Sequence, residues 1–185
     1  MSQPVPAAAT AAAPDQLDRS ERAGQIVAAA RSLLERDGAE ALTMRALADA
    51  LGMQAPSIYK HFRNKAAVEL AMISDALWEI GRVSHDAVGG GLAALTAAYR
   101  TEAQRQPNLY RLATHGRLDR EHLPPGLEEW AGEPWYLVTG DPALAQACWS
   151  FAHGMVILEL DGRYPPGSDL DATWAAGVRA FSPRP

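Results

Sequence analysis

The feature that most constrains the fold is a pair of short predicted helices separated by one glycine, within residues 43–65. Thr43 is a suitable N-cap for the first helix, in which apolar residues recur at three- and four-residue spacing. Those apolar residues are Met44, Leu47, Ala48 and Leu51. Gly52 ends this helix, and the second is predicted to begin near Ala55 and to run to about His61. Such an arrangement predicts a helix-turn-helix.

The second predicted helix has an apolar side and a polar side. Pro56 is compatible with its first turn, because the missing N–H has no intrahelical partner there. Ile58 and Phe62 are predicted to face inward. The outer side offers hydrogen-bonding and cationic groups to a DNA groove, namely Gln54, Ser57, Tyr59, Lys60 and His61. The pattern therefore predicts a DNA-reading helix.

The residues that follow predict a phosphate contact. Asn64 can cap the next helix, so Lys65 falls in its first turn, where the helix dipole disfavours a cation. A DNA phosphate beside Lys65 would remove that penalty.

The distribution of charge agrees with a local DNA-binding surface. The chain has a net charge of −5 over 185 residues, which by itself does not favour DNA binding. Residues 19–65, however, hold eight Lys or Arg against five acids, a local charge of +3, and the remainder sums to −8. Both lysines of the chain, Lys60 and Lys65, lie in the predicted reading segment.

Several other classes of protein find little support. Cys148 is the only cysteine, so no intrachain disulfide can form and a reducing cytoplasm is the expected location. No apolar run approaches the roughly 20 residues of a membrane span, and no membrane partner is expected. Residues 1–18 are rich in Ala and Pro and predict a disordered arm. A minor-groove contact by such an arm could come only from Arg19 and Arg22, which follow it directly.

These motifs resemble the tetracycline-repressor (TetR) family of bacterial transcription regulators. The resemblance covers about residues 20–70 and rests on Leu42-Thr43-Met44-Arg45, Leu47-Ala48, Leu51-Gly52, Ser57 to Phe62 and Asn64-Lys65. It implies a homodimeric repressor that binds a near-palindromic operator in double-stranded DNA and is released by an unknown small-molecule effector. Pro56 departs from the pattern, since many members have glycine or another residue there.

The resemblance also implies roles for the polar residues of the segment. Arg45 resembles the family position that reaches a guanine edge, and Gln54, Ser57 and Lys60 are further candidates for base contact. Phosphate contacts are expected from Thr43, Tyr59, His61 and Lys65. Packing within the small domain is the competing interpretation for Tyr59 and His61.

The rest of the chain predicts more helices and no strands, so the expected fold class is all-α. Residues 19–65 form the predicted three-helix DNA-binding domain, and residues 66–185 a larger helical bundle for ligand binding and dimerisation. Nine helices are predicted, among them a long one from Asn64 to about Ala87 and one from Pro142 to about Leu160. The last predicted helix spans Leu170 to Phe181.

The predicted helix from Pro142 has two apolar stripes, which one neighbour cannot cover. We expect part of it to pack with Leu170, Trp174, Val178 and Phe181 against the same pair of helices in a second subunit. Ordinary packing within the chain is the alternative.

A ligand pocket is predicted in the larger domain, which holds all five tryptophans. Trp149-Ser150-Phe151-Ala152-His153-Gly154 resembles the W-x-x-x-H-G signature of one subclass of TetR C-terminal domains. The preferred ligand-binding residues are Tyr110, Trp135, Trp149 and His153, with aromatic walls and a histidine as polar anchor. For any single one of them, a place in the core is the alternative.

Two other functions have less support from the sequence. An enzyme would need a catalytic motif, and the chain has no H-E-x-x-H, paired cysteines, phosphate loop or G-x-S-x-G, so no cofactor or metal is expected. Cys148 and His153 are about 140° apart on one helix and cannot form a nucleophile–base pair within it. A protein-binding adaptor would keep the bundle but lack cations such as Arg45, Lys60 and Lys65.

Overall fold

The structure is a computed structural model that describes residues 19–182. Over these residues the chain is all-α, as predicted, with nine α-helices and two short 3₁₀ turns at Val88–Gly90 and Arg120–His122. The helices are α1 Glu21–Asp37, α2 Met44–Ala50, α3 Ala55–Tyr59, α4 Lys65–Ala87, α5 Gly91–Arg105, α6 Pro107–Thr114, α7 Leu127–Thr139, α8 Pro142–Leu160 and α9 Leu170–Phe181. The predicted arm, residues 1–18, lies outside the described residues.

The first three helices form the helix-turn-helix unit. Ser20 caps α1 and Thr43 caps α2, each accepting a hydrogen bond from the backbone N–H three residues later. Gly52 follows α2 with φ of +61°, a conformation that favours glycine. The small core of this unit consists of Ile26, Ala48 and Ile58, all buried.

α4 connects this unit with the rest of the molecule. Asn64 caps it, as predicted, by accepting a hydrogen bond from the N–H of Ala67. Its buried residues Val68 and Met72 share one apolar cluster with Leu34 of α1 and Leu109 of α6. An apolar cluster of the helix-turn-helix unit therefore continues into α4 and α6.

The larger bundle packs α5, α7, α8 and α9 around a second core. Tyr99, Trp135, Cys148 and Trp174 are buried in it. By length and composition alone, α8 is apolar enough to cross a membrane, a property that core helices of folded domains share. One part of α8 packs against α5, α7 and α9. Because 28% of its apolar stretch is buried in this way, much of its apolar surface is left uncovered by the described residues.

The contact of α4 with α7 depends on a glycine. A Cβ atom on Gly81 would lie 2.4 Å from the Trp130 ring and 3.0 Å from the backbone Cα of Ala131. We expect Gly81→Leu to lower the free energy of unfolding by about 3 kcal/mol, at the upper end of overpacking effects, because the backbone of α7 must move. Denaturant unfolding measures this change.

Gly24→Leu is the matched control, since a Cβ on this α1 glycine meets nothing within 4 Å. It should leave the free energy of unfolding unchanged or raise it, because glycine is a poor helix former. Equal destabilisation by both substitutions would contradict the packing of α4 against α7.

Candidate nucleic-acid interface and cavity

The predicted reading helix is shorter than expected. α3 ends at Tyr59 rather than near His61, and Lys60 is its C-cap. His61 lies in the turn that follows, where its backbone N–H donates to Ile58. Pro56 lies in the first turn of α3, where its missing N–H costs no helical hydrogen bond.

The side chains expected to reach bases lie on an accessible surface. The Arg45 side chain is 91% exposed, and its only ion pair among the described residues is a 3.9 Å contact with Asp49. Gln54 and Lys60 are exposed, and Gln54 makes no side-chain cap bond although it occupies the N-cap of α3. Ser57 is half-buried. Three groups suited to base edges thus remain accessible around α3.

The residues expected to contact phosphates differ in their local bonding. Tyr59 and His61 are exposed, which is the placement a phosphate contact needs. The Oγ1 of Thr43 accepts a hydrogen bond from Ala46 N at 3.0 Å. The Nζ of Lys65 donates to the Ala39 carbonyl at 3.0 Å and lies 3.4 Å from a carboxylate oxygen of Glu69.

The Glu69 carboxylate therefore offsets the unfavourable interaction of Lys65 with the dipole of α4, so no phosphate is needed for that purpose.

The N-terminal arginines are engaged within the protein. Both terminal nitrogens of Arg19 donate to the Asp75 carboxylate of α4, at 2.7 and 3.0 Å. Arg22 donates to the Gln25 side chain at 2.7 Å. Arg19 is therefore held against α4 in this structure.

A cavity of about 700 Å³ opens between α4, α6, α7 and α8. This volume lies within the range of small-molecule sites. Trp135, Trp149 and His153 line it, together with His115 and the buried Tyr99. One wall of the cavity is aliphatic and is formed by four residues of α4, Leu70, Ile73, Leu77 and Ile80.

Tyr110 lies behind the cavity wall rather than on it. Its hydroxyl bonds the Nδ1 of His153 at 2.8 Å and the hydroxyl of Tyr99 at 2.8 Å. Burial raises the pKa of Tyr99 to about 12 and raises that of Tyr110 as well, so both phenols keep their protons at neutral pH. Burial also lowers the pKa of His153, which is therefore neutral at pH 7.

Two contacts join the cavity helices to the DNA-reading unit. The Glu35 carboxylate at the end of α1 accepts from the backbone N–H groups of Asn108 and Leu109, at 3.2 and 2.7 Å. In return, the Asn108 side chain donates to the carbonyls of Leu34 and Glu35. The C-terminal end of α1 and the N-terminal end of α6 thus cap each other.

No local sequence pattern shows this pair of caps. No acidic residue lies in the first turn of α6. A helix that begins without a local acceptor for its first N–H groups needs one from elsewhere in the chain, and that need was the available signal.

A second connection between the helix-turn-helix unit and the rest of the molecule is electrostatic. Arg31 of α1 donates to both carboxylate oxygens of Glu79 on α4 at 2.8 Å, and to the Gln106 side chain at 2.7 and 3.0 Å. Arg105 joins the same carboxylate at 2.9 Å. Burial opposes the ionised form of Glu79, but the two arginines prevail and lower its pKa.

The single cysteine is enclosed in the core, and the described residues form no metal-ligand cluster. Cys148 is fully buried, and burial raises the pKa of its thiol. No group of three metal-ligating side chains occurs among residues 19–182. Cys148 packs in the core of the larger bundle.

Comparison with known proteins identifies the family. Residues 26–72 match the bacterial regulatory proteins of the tetR family, and residues 92–181 match the tetracyclin repressor-like C-terminal domain. An HTH-type transcriptional regulator of Mycobacterium tuberculosis, itself uncharacterized, is 31% identical over 153 residues, which are 74% of this chain and 69% of that protein. The class A tetracycline repressor from transposon 1721 of Escherichia coli is 44% identical over 54 residues, 29% of this chain and 25% of the repressor.

Solved structures share the fold. A protein of unknown function from Rhodococcus sp. RHA1 superposes with a TM-score of 0.72 at 21% identity, covering 90% of this chain and 96% of that one. A TetR variant from Acinetobacter baumannii, solved with minocycline, superposes with a TM-score of 0.59 at 24% identity, covering 90% and 94%.

The fold and the exposed reading helix define a helix-turn-helix protein of the bacterial regulatory class. The chain belongs to the TetR family, and it is a DNA-binding transcriptional regulator rather than an enzyme.

Proposed function

We propose that the protein is a homodimeric repressor that a small molecule, bound in the 700 Å³ cavity, releases from its operator. The observation that carries this proposal is the continuous connection from the cavity to the reading unit. His153 on the cavity wall bonds Tyr110 of α6, and the N-terminus of α6 is capped by Glu35 of α1. Residues 19–65 are the proposed reading domain and residues 66–185 the sensing and dimerising one.

The proposed contacts with DNA follow the accessible surface. Arg45, Gln54, Ser57 and Lys60 face base edges, and Thr43, Tyr59, His61 and Lys65 face phosphates. A dimer places two α3 helices in successive major grooves, so the operator is a near-palindrome with half-site centres about 34–36 Å apart. Lys65 contributes least, since its ammonium is already held by Ala39 and Glu69.

The proposed dimer interface uses the outer faces of α8 and α9. Ala143, Ala147, Gly154 and Leu158 lie on one side of α8 and, except for the half-exposed Gly154, are exposed. α9 exposes Ala172, Ala175, Ala176 and Ala180. Small side chains let two helices approach closely, and the exposed apolar surface of α8 supports burial against a second copy.

The residues named for this interface from the sequence lie differently. Trp174 is buried and packs edge-on against the Phe151 ring at 5.6 Å, and Phe181 contacts the same ring at 5.5 Å. Leu170 and Val178 are half-buried. The alternative of packing within the chain therefore applies to Trp174 and Phe181, and the interface is assigned to the alanine faces instead.

The W-x-x-x-H-G subclass is part of the proposal. Trp149 and His153 stack one turn apart, with ring centroids 5.9 Å apart, and both line the cavity. Gly154 follows on the face of α8 that the second copy would cover. The three signature residues thus serve the cavity and the interface together.

Effector action requires that the ligand prefer the conformation that DNA does not. A molecule in the cavity presses on α4 through Leu70, Ile73 and Leu77. Any shift of α4 or α6 displaces α1, because the caps at Glu35 and the Arg31–Glu79 ion pair join them. The spacing of the two reading helices then changes.

Removing the cap at Glu35 should loosen this connection. We expect Glu35→Ala to lower the free energy of unfolding by roughly 0.5–2 kcal/mol, because two N–H groups at the start of α6 lose their acceptor. The backbone amides of Asn108 and Leu109 should also exchange faster with solvent hydrogen. Denaturant unfolding and amide hydrogen exchange measure the two effects.

Glu40→Ala is the control for Glu35→Ala. Glu40 is an exposed acid between α1 and α2 with no hydrogen bond or ion pair recorded in residues 19–182. It should change neither measurement. Unaltered exchange at Leu109 in Glu35→Ala would show that the cap does not hold α6.

The repressor proposal is tested on the DNA that flanks the protein's own gene. Fluorescence anisotropy measures the affinity of the full chain for this DNA while a panel of apolar small molecules is titrated. At least one compound should weaken DNA binding by about 5- to 150-fold, the usual strength of allosteric coupling. If compounds bind the cavity and leave DNA affinity unchanged, the effector role is refuted.

A further inference from the structure

A chain of hydrogen bonds lies behind the cavity wall. Tyr99 bonds the Tyr110 hydroxyl at 2.8 Å, and Tyr110 bonds the Nδ1 of His153 at 2.8 Å. Each hydroxyl in this chain can be donor or acceptor, so two directions of donation are possible.

The direction follows from the Tyr99 end of this hydrogen-bond chain. Tyr99 is buried, and the only hydrogen-bond partner of its hydroxyl among the described residues is Tyr110. The proton of Tyr99 then goes to Tyr110, and the proton of Tyr110 goes to Nδ1 of His153. In the reverse direction, the Tyr99 proton has no acceptor in the described residues, although its side chain is buried, and a buried donor left unpaired is costly.

This direction selects one tautomer of His153. Because Nδ1 accepts, the proton of the neutral ring is on Nε2. Nδ1 faces Tyr110 behind the wall, whereas the ring itself lines the cavity. The Nε2–H group is thus on the far edge of the ring and has no recorded partner in residues 19–182.

The surroundings of His153 indicate what this donor accepts. The walls around it are Tyr99, Trp135, Trp149 and the aliphatic side chains of α4. Exposed charged groups lie on the loop that lines one side of the cavity, at Arg117, Asp119 and Arg120, and Arg120 is paired with Glu128 at 2.7 Å. No ion pair or hydrogen bond recorded for the described residues joins His153 to a charged group.

We infer that the cavity selects uncharged, ring-containing carbonyl compounds, whose oxygen accepts the Nε2–H of His153 while the ring packs against Trp149 and Trp135. At His153 a carboxylate would find one neutral donor, and an ammonium group would meet a donor instead of an acceptor. Elsewhere in the lining, the charged side chains of Glu69, Asp119, Arg120 and Glu128 are already paired within the chain, which leaves Arg117. The inference rests on the proposed effector role of the cavity.

The ligand class is tested with four compounds that share a naphthalene ring: acetylnaphthalene, ethylnaphthalene, naphthoate and naphthylethylamine. Calorimetry with the full chain should show acetylnaphthalene binding about tenfold more tightly than ethylnaphthalene, the value of one net hydrogen bond. The two charged compounds should bind more weakly than the ketone. Tighter binding of either charged compound, or no binding of the ketone, overturns the inference.

His153→Phe is the decisive variant, because it keeps a ring and removes the donor. The preference for the ketone over ethylnaphthalene should fall from about tenfold to none, with ethylnaphthalene still bound. A preference that persists in this variant refutes the role of Nε2–H.

The tautomer is measured without any ligand by nitrogen NMR of the imidazole. Nε2 should carry the proton and Nδ1 should show the shift of an unprotonated, hydrogen-bonded nitrogen. The Tyr110→Phe variant should lose this pattern or mix the two tautomers. A proton found on Nδ1 in the unmodified protein overturns the inference even if the fold is intact.

DNA affinity separates this inference from the proposed function. If the ketone binds with the expected preference but does not release DNA, the effector role fails and the ligand class stands. If a charged compound releases DNA and the ketone does not bind, the effector role stands and the ligand class fails.

Discussion

Gly154→Arg should convert the protein into a monomer and weaken operator binding by roughly 10²- to 10⁴-fold. Gly154 lies on the outer face of α8, and a Cβ atom there meets nothing within 4 Å of the same chain. The folded monomer therefore accepts a side chain, and only a second copy would be displaced by it. The loss follows because two joined reading heads bind far more tightly than one.

The monomer fold is the internal control for this experiment. Replacing a helical glycine raises helix propensity, so the melting temperature of isolated monomers should not fall. Ala97→Arg adds the same charge at an exposed position of α5 and should leave the dimer intact. Sedimentation that shows a dimer of Gly154→Arg at micromolar concentration would disprove the interface on α8.

Arg45→Ala should remove most of the sequence preference of the protein. A bidentate contact between arginine and a guanine edge contributes about 1–3 kcal/mol of discrimination, and a dimer makes it twice. We therefore expect specific binding to weaken by a factor on the order of 30 to 10⁴, while binding to unrelated DNA falls much less. The substitution should change the stability of the protein little, since the contact of Arg45 with Asp49 is long and exposed.

Arg82→Ala is the matched control for Arg45→Ala. Arg82 is an exposed arginine of α4 paired with Asp86 at 3.2 Å, one helical turn away, as Arg45 is with Asp49. Its removal should leave both specific and non-specific DNA binding unchanged. A parallel loss on both kinds of DNA in Arg45→Ala would assign Arg45 to a phosphate rather than to a base.

The sequence predicted the helices well, because their signals are local. Asn64 and Thr43 cap the helices that they were expected to cap, and Gly52 adopts the positive φ that its turn requires. The end of α3 was predicted about two residues too late. Helix ends depend on the last few hydrogen bonds, which local composition does not determine.

The arrangement of the cavity was predicted only in part, because its contacts join residues far apart in the chain. Trp149 and His153 are one turn apart, so their common face was visible in the sequence. That Tyr110 lies behind His153 depends on the packing of α6 against α8, which no local pattern shows. The Arg19–Asp75 pair spans 56 residues and was missed for the same reason.

The direct test of the account is the dependence of DNA affinity on half-site spacing, measured by fluorescence anisotropy on the near-palindrome flanking the gene. Two protomers should bind each duplex, and inserting about five base pairs between the half-sites, half a helical turn, should abolish tight binding. Restoring a full turn with about ten should recover part of it. One protomer per site, with affinity indifferent to the insertion, would contradict a dimer that reads DNA through two α3 helices.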